Sequence, residues 1–550
     1  MQDRVCPGAA GVMSDVIVAE ACWPAERVGE IFESTVGGVL RDAAAADPDQ
    51  SALIFGVPDP APFRRWTYAE LLGDAERAAR ALLERFEPGE RVAVWAPNTP
   101  EWIALEFGAA LAGLVLVSIN PAFRPGELEY VLAQSRSAGI FLAEEYRGNR
   151  MAEALESVRG EVPALRETVV LSRWAEFLAS GRDATRLPKV APGAPAQIQY
   201  TSGTTGEPKG ALLHHRGLTN NARLAFEVLG ARAGEVCISA MPLFHTVGCG
   251  MGVLGTVQIR GLYVLVGAFE PGLMLELAER ERANLMLGVP TMLIAMLEHP
   301  EIATRDLSAL RVVASGGSLV APELVRAIEE RTDARFAIQF GQTEASPVIT
   351  MTSPSDDDFE QRSMTLGRPL PHTEVKIVDP ATGATLTCGA VGELCARGYM
   401  VMSGYHEMPE ATAAAIDADG WLHTGDLASM DARGYCRIEG RLKDMIIRGG
   451  ENIYPREIEN LLFEHPAVGE VAVVGIPDAA WGEQVAAFIR PAAGIAAGEI
   501  DTDELQAFTR AHLAGYKCPR IWEIVEQFPL TATGKIRKHV LRDHYVDTHG

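Results

Sequence analysis

Between Thr67 and Arg85 the apolar residues Leu71, Leu72, Ala75, Ala78, Ala79, Leu82 and Leu83 recur at helical spacing. That repeat predicts an amphipathic helix, and Thr67 with Glu70 has capping-box spacing at its start. A Pro88-Gly89 turn leads to an apolar run Arg91–Trp95, a helical pattern Pro100–Ala112 and a second apolar run Leu114–Val117. This is a β-α-β rhythm. It resumes after a Pro/Ala/Gly-rich passage at Pro188–Pro195, with a short strand Ala196–Tyr200 and a helix-like run from about Gly217. Strands follow at Val236–Ala240, Gly261–Val266, Leu285–Leu287, Leu310–Ala314 and Arg335–Gln339, with a helix at Pro271–Arg282. Strands alternating with helices predict sheets flanked by helices.

The texture changes from about Thr373. Short strands such as Glu374–Val378 and Gly392–Arg397, separated by glycine turns, predict a β-rich subdomain over about 370–440,. The charged turn Gly440-Arg441-Leu442-Lys443-Asp444 marks a boundary,. Beyond it, helix Pro455–Phe463, strands Val471–Gly475 and Val485–Ile489, helix Thr502–Ala514, strand Ile521–Val525 and a terminal helix from about Ile536 form an α+β unit. The expected fold class is therefore α/β: a large N-terminal domain (1–440) of mixed sheets with helices and the β-rich subdomain, then a small α+β C-terminal domain (441–550). Residues 1 to about 30 have no clear periodicity and are expected to wrap the surface.

Composition narrows the class. A chain of 550 residues needs more than one core,. A net charge of −24 repels nucleic acid and anionic membranes, so an anionic ligand needs a local basic pocket,. The eight cysteines show no CxxC or paired spacing and read as reduced, buried thiols,. The N-terminus lacks a basic region followed by an apolar core,. The most apolar stretch, Phe107–Ile119, is too short to span a bilayer and reads as a helix end, Gly113 and a buried strand,. A cytoplasmic enzyme or binding protein is expected, with no integral membrane segment; its oligomeric state stays open.

The candidate chemistry begins at Tyr200-Thr201-Ser202-Gly203-Thr204-Thr205-Gly206-Glu207-Pro208-Lys209-Gly210. Glycines let the backbone approach a ligand, the hydroxyls and free N–H groups can surround an anion, and Lys209 adds positive charge. The spacing is not that of a Walker A loop, and such a cluster alone is more often a surface loop. Five further stretches accompany it. Pro242-Leu243-Phe244-His245 follows a strand, where the plain alternative is a core histidine beside an aromatic ring. Ser315-Gly316-Gly317 could admit a flat ring or be a simple turn. Phe340-Gly341-Gln342-Thr343-Glu344 places a stackable ring and a hard oxygen ligand at a strand's carboxyl end, where α/β proteins gather ligands,. Trp421–Leu427 contains Asp426, able to accept two ribose hydroxyls, against a plain turn aspartate. Pro529–Ile536 projects Lys535 from a loop freed by Gly534.

In this order, from about Leu53 to Lys538, the motifs resemble the adenylate-forming (AMP-binding) superfamily of acyl-CoA synthetases, luciferases and peptide-synthetase adenylation domains. The pattern is most similar to medium-chain-type fatty acyl-CoA synthetases. The resemblance implies ATP-dependent activation of a carboxylic acid to acyl-AMP with release of pyrophosphate, then transfer to coenzyme A, a step in fatty acid metabolism. It further implies that Thr201, Ser202, Gly203, Thr204, Thr205, Gly206 and Lys209 hold the ATP phosphates and that Glu344 with Thr205 positions Mg²⁺. Gly316, Gly317 and Phe340, with Gly341, Gln342 and Thr343, would line the nucleotide; Asp426 and Arg441 would hold the ribose. Lys535, Glu344, Thr201 and His245 are the implied catalytic positions. Lys443 matches the hinge of a mobile C-terminal domain, and Gly449-Gly450 the wall of the pantetheine channel.

Amino-acid-activating relatives place an aspartate shortly after the position of His245. Here Thr246–Gly252 has no acid. An ammonium would go unpaired in such a pocket, so an uncharged acyl tail is expected. His245, Val247, Met251, Gln342, Ala345 and Pro347 are the candidate lining. Aryl acids, or a carrier-protein thiol as acceptor, are the alternatives. A silent nucleotide binder is disfavoured by Lys535, Glu344 and Asp426 together.

Overall fold

The structure is a computed structural model that describes residues 17–57, 63–201, 208–318, 320–449, 451–478, 480–492, 494–529 and 536–549. The predicted helix runs Tyr68–Leu83, and its capping box forms: Glu70 N donates to Thr67 Oγ1 at 3.2 Å and Thr67 N to Glu70 Oε2 at 2.8 Å. Each end bond satisfies a backbone donor that no helical carbonyl can reach. The β-α-β unit forms as Arg91–Trp95, Pro100–Ala112 and Val115–Ile119, with the two strands parallel.

Two large sheets organise this part of the chain. A nine-stranded sheet has a parallel centre, in spatial order Arg335–Gly341, Val312–Gly316, Leu285–Leu287, Val236–Ser239, Leu262–Val266 and Ser51–Gly56. Antiparallel strands finish both edges. A seven-stranded sheet is parallel from Pro195–Thr201 through Val115–Ile119, Arg91–Trp95 and Gly139–Leu142 to Glu167–Val170. Side chains from both sheets meet those of helices Val36–Ala46, Tyr68–Leu83, Pro100–Ala112 and His215–Val228 in one apolar cluster. The helix Pro100–Ala112 is accordingly buried on every side, which matches its lack of a polar face,. The β-rich region forms its own antiparallel sheet, and sheet membership changes between Arg441 and Ile446. The strands from Ile446 onward make a five-stranded sheet against helices Pro455–Phe463, Thr502–His512 and Lys538–His549.

Three expectations need correction. The phosphate-loop candidate does not join a strand to a helix. A second strand, Lys209–His214, returns antiparallel to Pro195–Thr201 with Thr201 opposite Lys209, so the loop is a hairpin tip; the helix starts only at His215. The short run Lys-Gly-Ala-Leu-Leu-His gave no helical or clean alternating period to betray it. The N-terminal segment is more than a surface wrap: Cys22–Trp23 pairs with Thr373–Val378 at the edge of the β-rich sheet, and Trp23 is buried. Cys22 is disulfide-bonded, whereas Cys237, Cys249, Cys388, Cys395, Cys436 and Cys518 are free, all but Cys388 buried. The glycine-rich Val247–Leu254, on which the sequence makes no prediction of structure, is a π-helical turn.

A polar chain crosses this apolar interior. Gln197 Nε2 donates to Glu106 Oε1 at 2.6 Å, and Gln199 Nε2 reaches Gln197 Oε1 at 2.7 Å and Cys249 Sγ at 3.2 Å. It links the helix Pro100–Ala112, the strand leading to the phosphate loop and the π-helical turn. Burial pushes the Glu106 carboxyl up to about 8, against the opposing hydrogen bonds from Gln197 and Cys249. The carboxyl is thus neutral in the folded protein at neutral pH. Because the folded value lies above the ordinary 4.5, the stability this group contributes is fully present below about 4.5,. It is lost as pH rises through the folded value. Glu106→Gln, which keeps shape and acceptor without an ionisable proton, is expected to remove that loss and to be more stable than the parent at pH 8 by on the order of a few kcal/mol. Thermal melts of both proteins from about pH 5 to pH 8 check this; parallel curves would refute it.

Candidate active site

The site assembles where strands of the two large sheets end. Val312–Gly316 and Arg335–Gly341 run side by side with Gly316 opposite Gln339, at the carboxyl ends where open α/β sheets leave a crevice,. Two glycines are required by packing here. A Cβ on Gly316 would lie 2.2 Å from the Gln339 carbonyl oxygen, and one on Gly341 would lie 1.9 Å from that of Pro347. Gly317 follows, exposed, and Phe340 is half-buried in the adjacent strand. The turn at Gly341 is closed by Gln342 N donating to Pro347 O at 2.9 Å. A 3₁₀ turn, Thr343–Ala345, then delivers Glu344, whose carboxylate is 7% exposed.

Glu344 is held from the other sheet. Its Oε1 accepts from Tyr405 Oη at 2.7 Å, and its carbonyl accepts from Met402 N at 2.8 Å. Tyr405 lies in the strand Gly404–Tyr405, which pairs with Ala211 and Leu212 of the phosphate hairpin. The Lys209 ammonium sits 5.2 Å from the Tyr405 ring centroid. Burial first, then the Glu344 charge, push the Tyr405 phenol well above its ordinary value, so it remains a donor,. Thr201, Lys209 and Glu344 are thereby brought to one place through Tyr405. Sequence reasoning missed Tyr405; its partner is 61 residues distant and no local pattern flags it.

Asp426 lies within the strand Leu422–Met430 rather than in a turn, and is 8% exposed. Arg441 is its direct cross-strand partner, with Arg441 Nε 3.2 Å from Asp426 Oδ1. The two residues predicted to hold a ribose therefore share one pair position. Arg441 ends its strand, and the 3₁₀ turn Leu442–Asp444 follows with Lys443 exposed on it. Loss of hydration, with the Arg441 and Lys538 charges, lowers the Lys443 ammonium despite Asp444 and Asp426 nearby.

Further along, Gly449 N donates to Trp481 O at 2.7 Å, and the half-exposed Trp481 ring faces the Arg448 guanidinium at 5.1 Å. Trp481 too escaped sequence reading. Ser202, Gly203, Thr204, Thr205, Gly206, Gly450 and Lys535 lie outside the described residues. On either side of the Lys535 segment, Arg537 N donates to Pro529 O at 2.7 Å and Lys538 Nζ pairs with Glu459 Oε1 at 2.6 Å.

The candidate acyl-lining residues fall in two groups. His245 is half-buried with its ring 4.3 Å from that of Phe244, and precedes the π-helical turn. On that turn Val247 is half-buried, while Met251 is fully buried in the main core. Ala345 belongs instead to the core of the β-rich sheet, with Pro347 buried two residues on.

One hard carboxylate oxygen donor, anchored by Tyr405 and close to a lysine-bearing hairpin, fits a divalent cation that takes its other ligands from phosphates and water,. Hairpin, ring-lined crevice and Asp426–Arg441 pair together define a nucleotide-using enzyme of the adenylate-forming class. The chain belongs to the AMP-binding enzyme family: residues 40–406 match the family itself and residues 457–535 match the AMP-binding enzyme C-terminal domain.

Among relatives, YngI of Bacillus subtilis (strain 168), whose name marks it provisionally as an acyl-CoA synthetase, is 40% identical over 94% of this chain and 98% of its own. The mitochondrial medium-chain acyl-CoA ligase ACSF2 of Rattus norvegicus is 37% identical over 93% of this chain and 88% of its own. Among solved structures, ATP-bound MatB from Rhodopseudomonas palustris superposes with a TM-score of 0.85 at 29% identity, over 94% of this chain and 100% of its own.

Tyr405→Phe keeps the ring beside Lys209 and removes only the bond to Glu344. Losing a hydrogen bond to a charged group costs about 1.5–3 kcal/mol. An at least tenfold fall in kcat/KM for ATP is expected, with the melting curve little changed. Wild-type kinetics in this variant would show that Glu344 needs no such anchor.

Proposed function

We propose that this protein is an AMP-forming acyl-CoA synthetase acting on an uncharged, medium-length fatty acid. The observation that carries the reading is the convergence of Lys209, Tyr405 and Glu344 at one end of the crevice with the Asp426–Arg441 pair in the β-rich sheet. The first can grip phosphates and the second a ribose. The relatives' names support the acyl-CoA chemistry, and ACSF2 supports the chain length.

In the first step a substrate carboxylate oxygen attacks the α-phosphorus and the bond to pyrophosphate breaks. Lys209 and the hairpin tip hold the departing phosphates; Phe340 stacks on adenine where Gly316 and Gly317 leave room; Asp426 accepts from the ribose hydroxyls. Glu344, with Thr205, would hold Mg²⁺, which supplies charge neutralisation on the phosphates. Lys535 bridges the carboxylate and the α-phosphate, where charge accumulates. In the second step the thiol of coenzyme A attacks the acyl carbonyl and AMP leaves. For this step Lys535 withdraws by rotation about Lys443, and Gly449-Gly450 frames the pantetheine arm, with the exposed Trp481 offering a stacking face beside it. The acyl tail lies along His245, Val247 and Met251, a segment without an acid. A cytoplasmic setting is in keeping with the six free cysteines, while the disulfide at Cys22 weighs against it,.

Pyrophosphate exchange, followed by thioester detection with coenzyme A, is to be run from acetate to stearate and on benzoates. Turnover is expected to peak at intermediate chain length; exchange without thioester would point to a carrier-protein acceptor, and no exchange with any acid would end the proposal. Lys535→Ala is expected to lose adenylation by about 10²–10³ while still converting supplied acyl-AMP to thioester. Equal loss of both half-reactions would contradict the rotation.

A further inference from the structure

The β-rich sheet holds a second group of reactive side chains. Strand periodicity places Glu393 and Cys395, two residues apart, toward one face of Gly392–Gly398, and antiparallel pairing sets His423 directly opposite Cys395,. His423 Nδ1 is 2.8 Å from Glu393 Oε2 and 3.5 Å from Cys395 Sγ, and one donor atom from each residue lies within 4.8 Å of the others. Asp417 Oδ2 stands 3.7 Å from the far ring nitrogen, His423 Nε2. Glu393 and Cys395 are buried, while His423 is 31% exposed, which leaves an approach from solvent.

The donor set is one oxygen, one sulfur and one nitrogen. That mixture selects a borderline-soft divalent ion over Mg²⁺, which prefers oxygen alone. Zinc bonds of about 2.0–2.3 Å at tetrahedral angles put ligand atoms roughly 3.3–3.6 Å apart. The Cys395–His423 separation falls in that range, and a small rotation of the Glu393 carboxylate would open the shorter contact. We propose that Glu393, Cys395 and His423 form a binding site for a divalent cation of the zinc class, separate from the nucleotide's own magnesium. Binding replaces the thiol proton, which passes to water, and the fourth position is left to a water molecule.

The site shares the strand Leu422–Met430 with Asp426, and one of its ligands bonds directly beside that residue. Glu393 Oε1 accepts from Gly425 N at 3.0 Å, immediately before Asp426. Drawing this carboxylate onto a cation loosens that anchor, so occupancy weakens ATP binding. The inhibition rests on Asp426 as the ribose contact; the binding does not.

Chelator-treated full-length protein, free of nucleotide, is titrated with Co²⁺ and then Zn²⁺. One equivalent of Co²⁺ is expected to give thiolate-to-cobalt charge-transfer absorption that Zn²⁺ abolishes. Cys395→Ser should lose the band, Cys388→Ser should keep it, and His423→Asn should weaken binding at least tenfold. Absence of the band from the parent protein, or its persistence in Cys395→Ser, overturns the site. Should Cys395→Ser fail to fold, unweakened binding in His423→Asn overturns it equally. In assays at saturating Mg²⁺, Zn²⁺ should raise KM for ATP severalfold in the parent and not in His423→Asn relative to its own metal-free value. Binding without this rise overturns the coupling alone, and Asp426→Asn, which should itself raise KM for ATP, reports separately on the ribose reading.

Discussion

The bond from Tyr405 to Glu344 joins two sheets whose side chains also share a large apolar cluster. Glu344 hangs from the strand Arg335–Gly341 of the nine-stranded sheet, and Tyr405 belongs to the edge strand of the seven-stranded one. The Tyr405 ring also faces Lys209. One side chain thus fixes the separation between the base of the phosphate hairpin and the carboxylate facing it. Apolar packing is non-directional and tolerates small displacements; a hydrogen bond to a carboxylate does not. Elsewhere the interior supplies stiffness, and at this point it supplies registration.

The same division explains what could be read from sequence. Tyr68–Leu83 was legible from its capping box and apolar spacing, and Pro100–Ala112 from its place in a β-α-β rhythm. The order of motifs was legible as well, since each carries its own chemistry. Partners were not. Nothing around Tyr405 indicates Glu344, and nothing around Arg441 indicates that it faces Asp426 across a strand pair. The strand Lys209–His214 was hidden because its six residues show neither a helical nor a clean alternating period. Cys22–Trp23 was missed for a similar reason, as two residues are too few to show alternation.

The polar chain from Glu106 to Cys249 shows a further limit. Glu106 sits in the helix Pro100–Ala112, where the neighbouring turns are buried and the carboxyl survives by keeping its proton. A buried hydrogen-bonded network of this kind costs desolvation and returns directionality. Here it ties the strand that feeds the phosphate hairpin to the π-helical turn carrying Met251. The two ends of the proposed substrate, its phosphate-bound partner and its acyl tail, are framed by elements that share this one polar tether.

Arg441 has one more consequence. It is the last residue of its strand, bound to Asp426, and the chain turns into Leu442–Asp444 immediately afterwards. With Arg441–Asp426 as the proposed ribose grip and Lys443 as the proposed pivot, the two would be separated by only two peptide units. On that reading, no relay of side chains is needed for the domain to register that the ribose pocket is filled. A signal of that kind would travel by covalent adjacency alone, as a door reports its position through its own hinge.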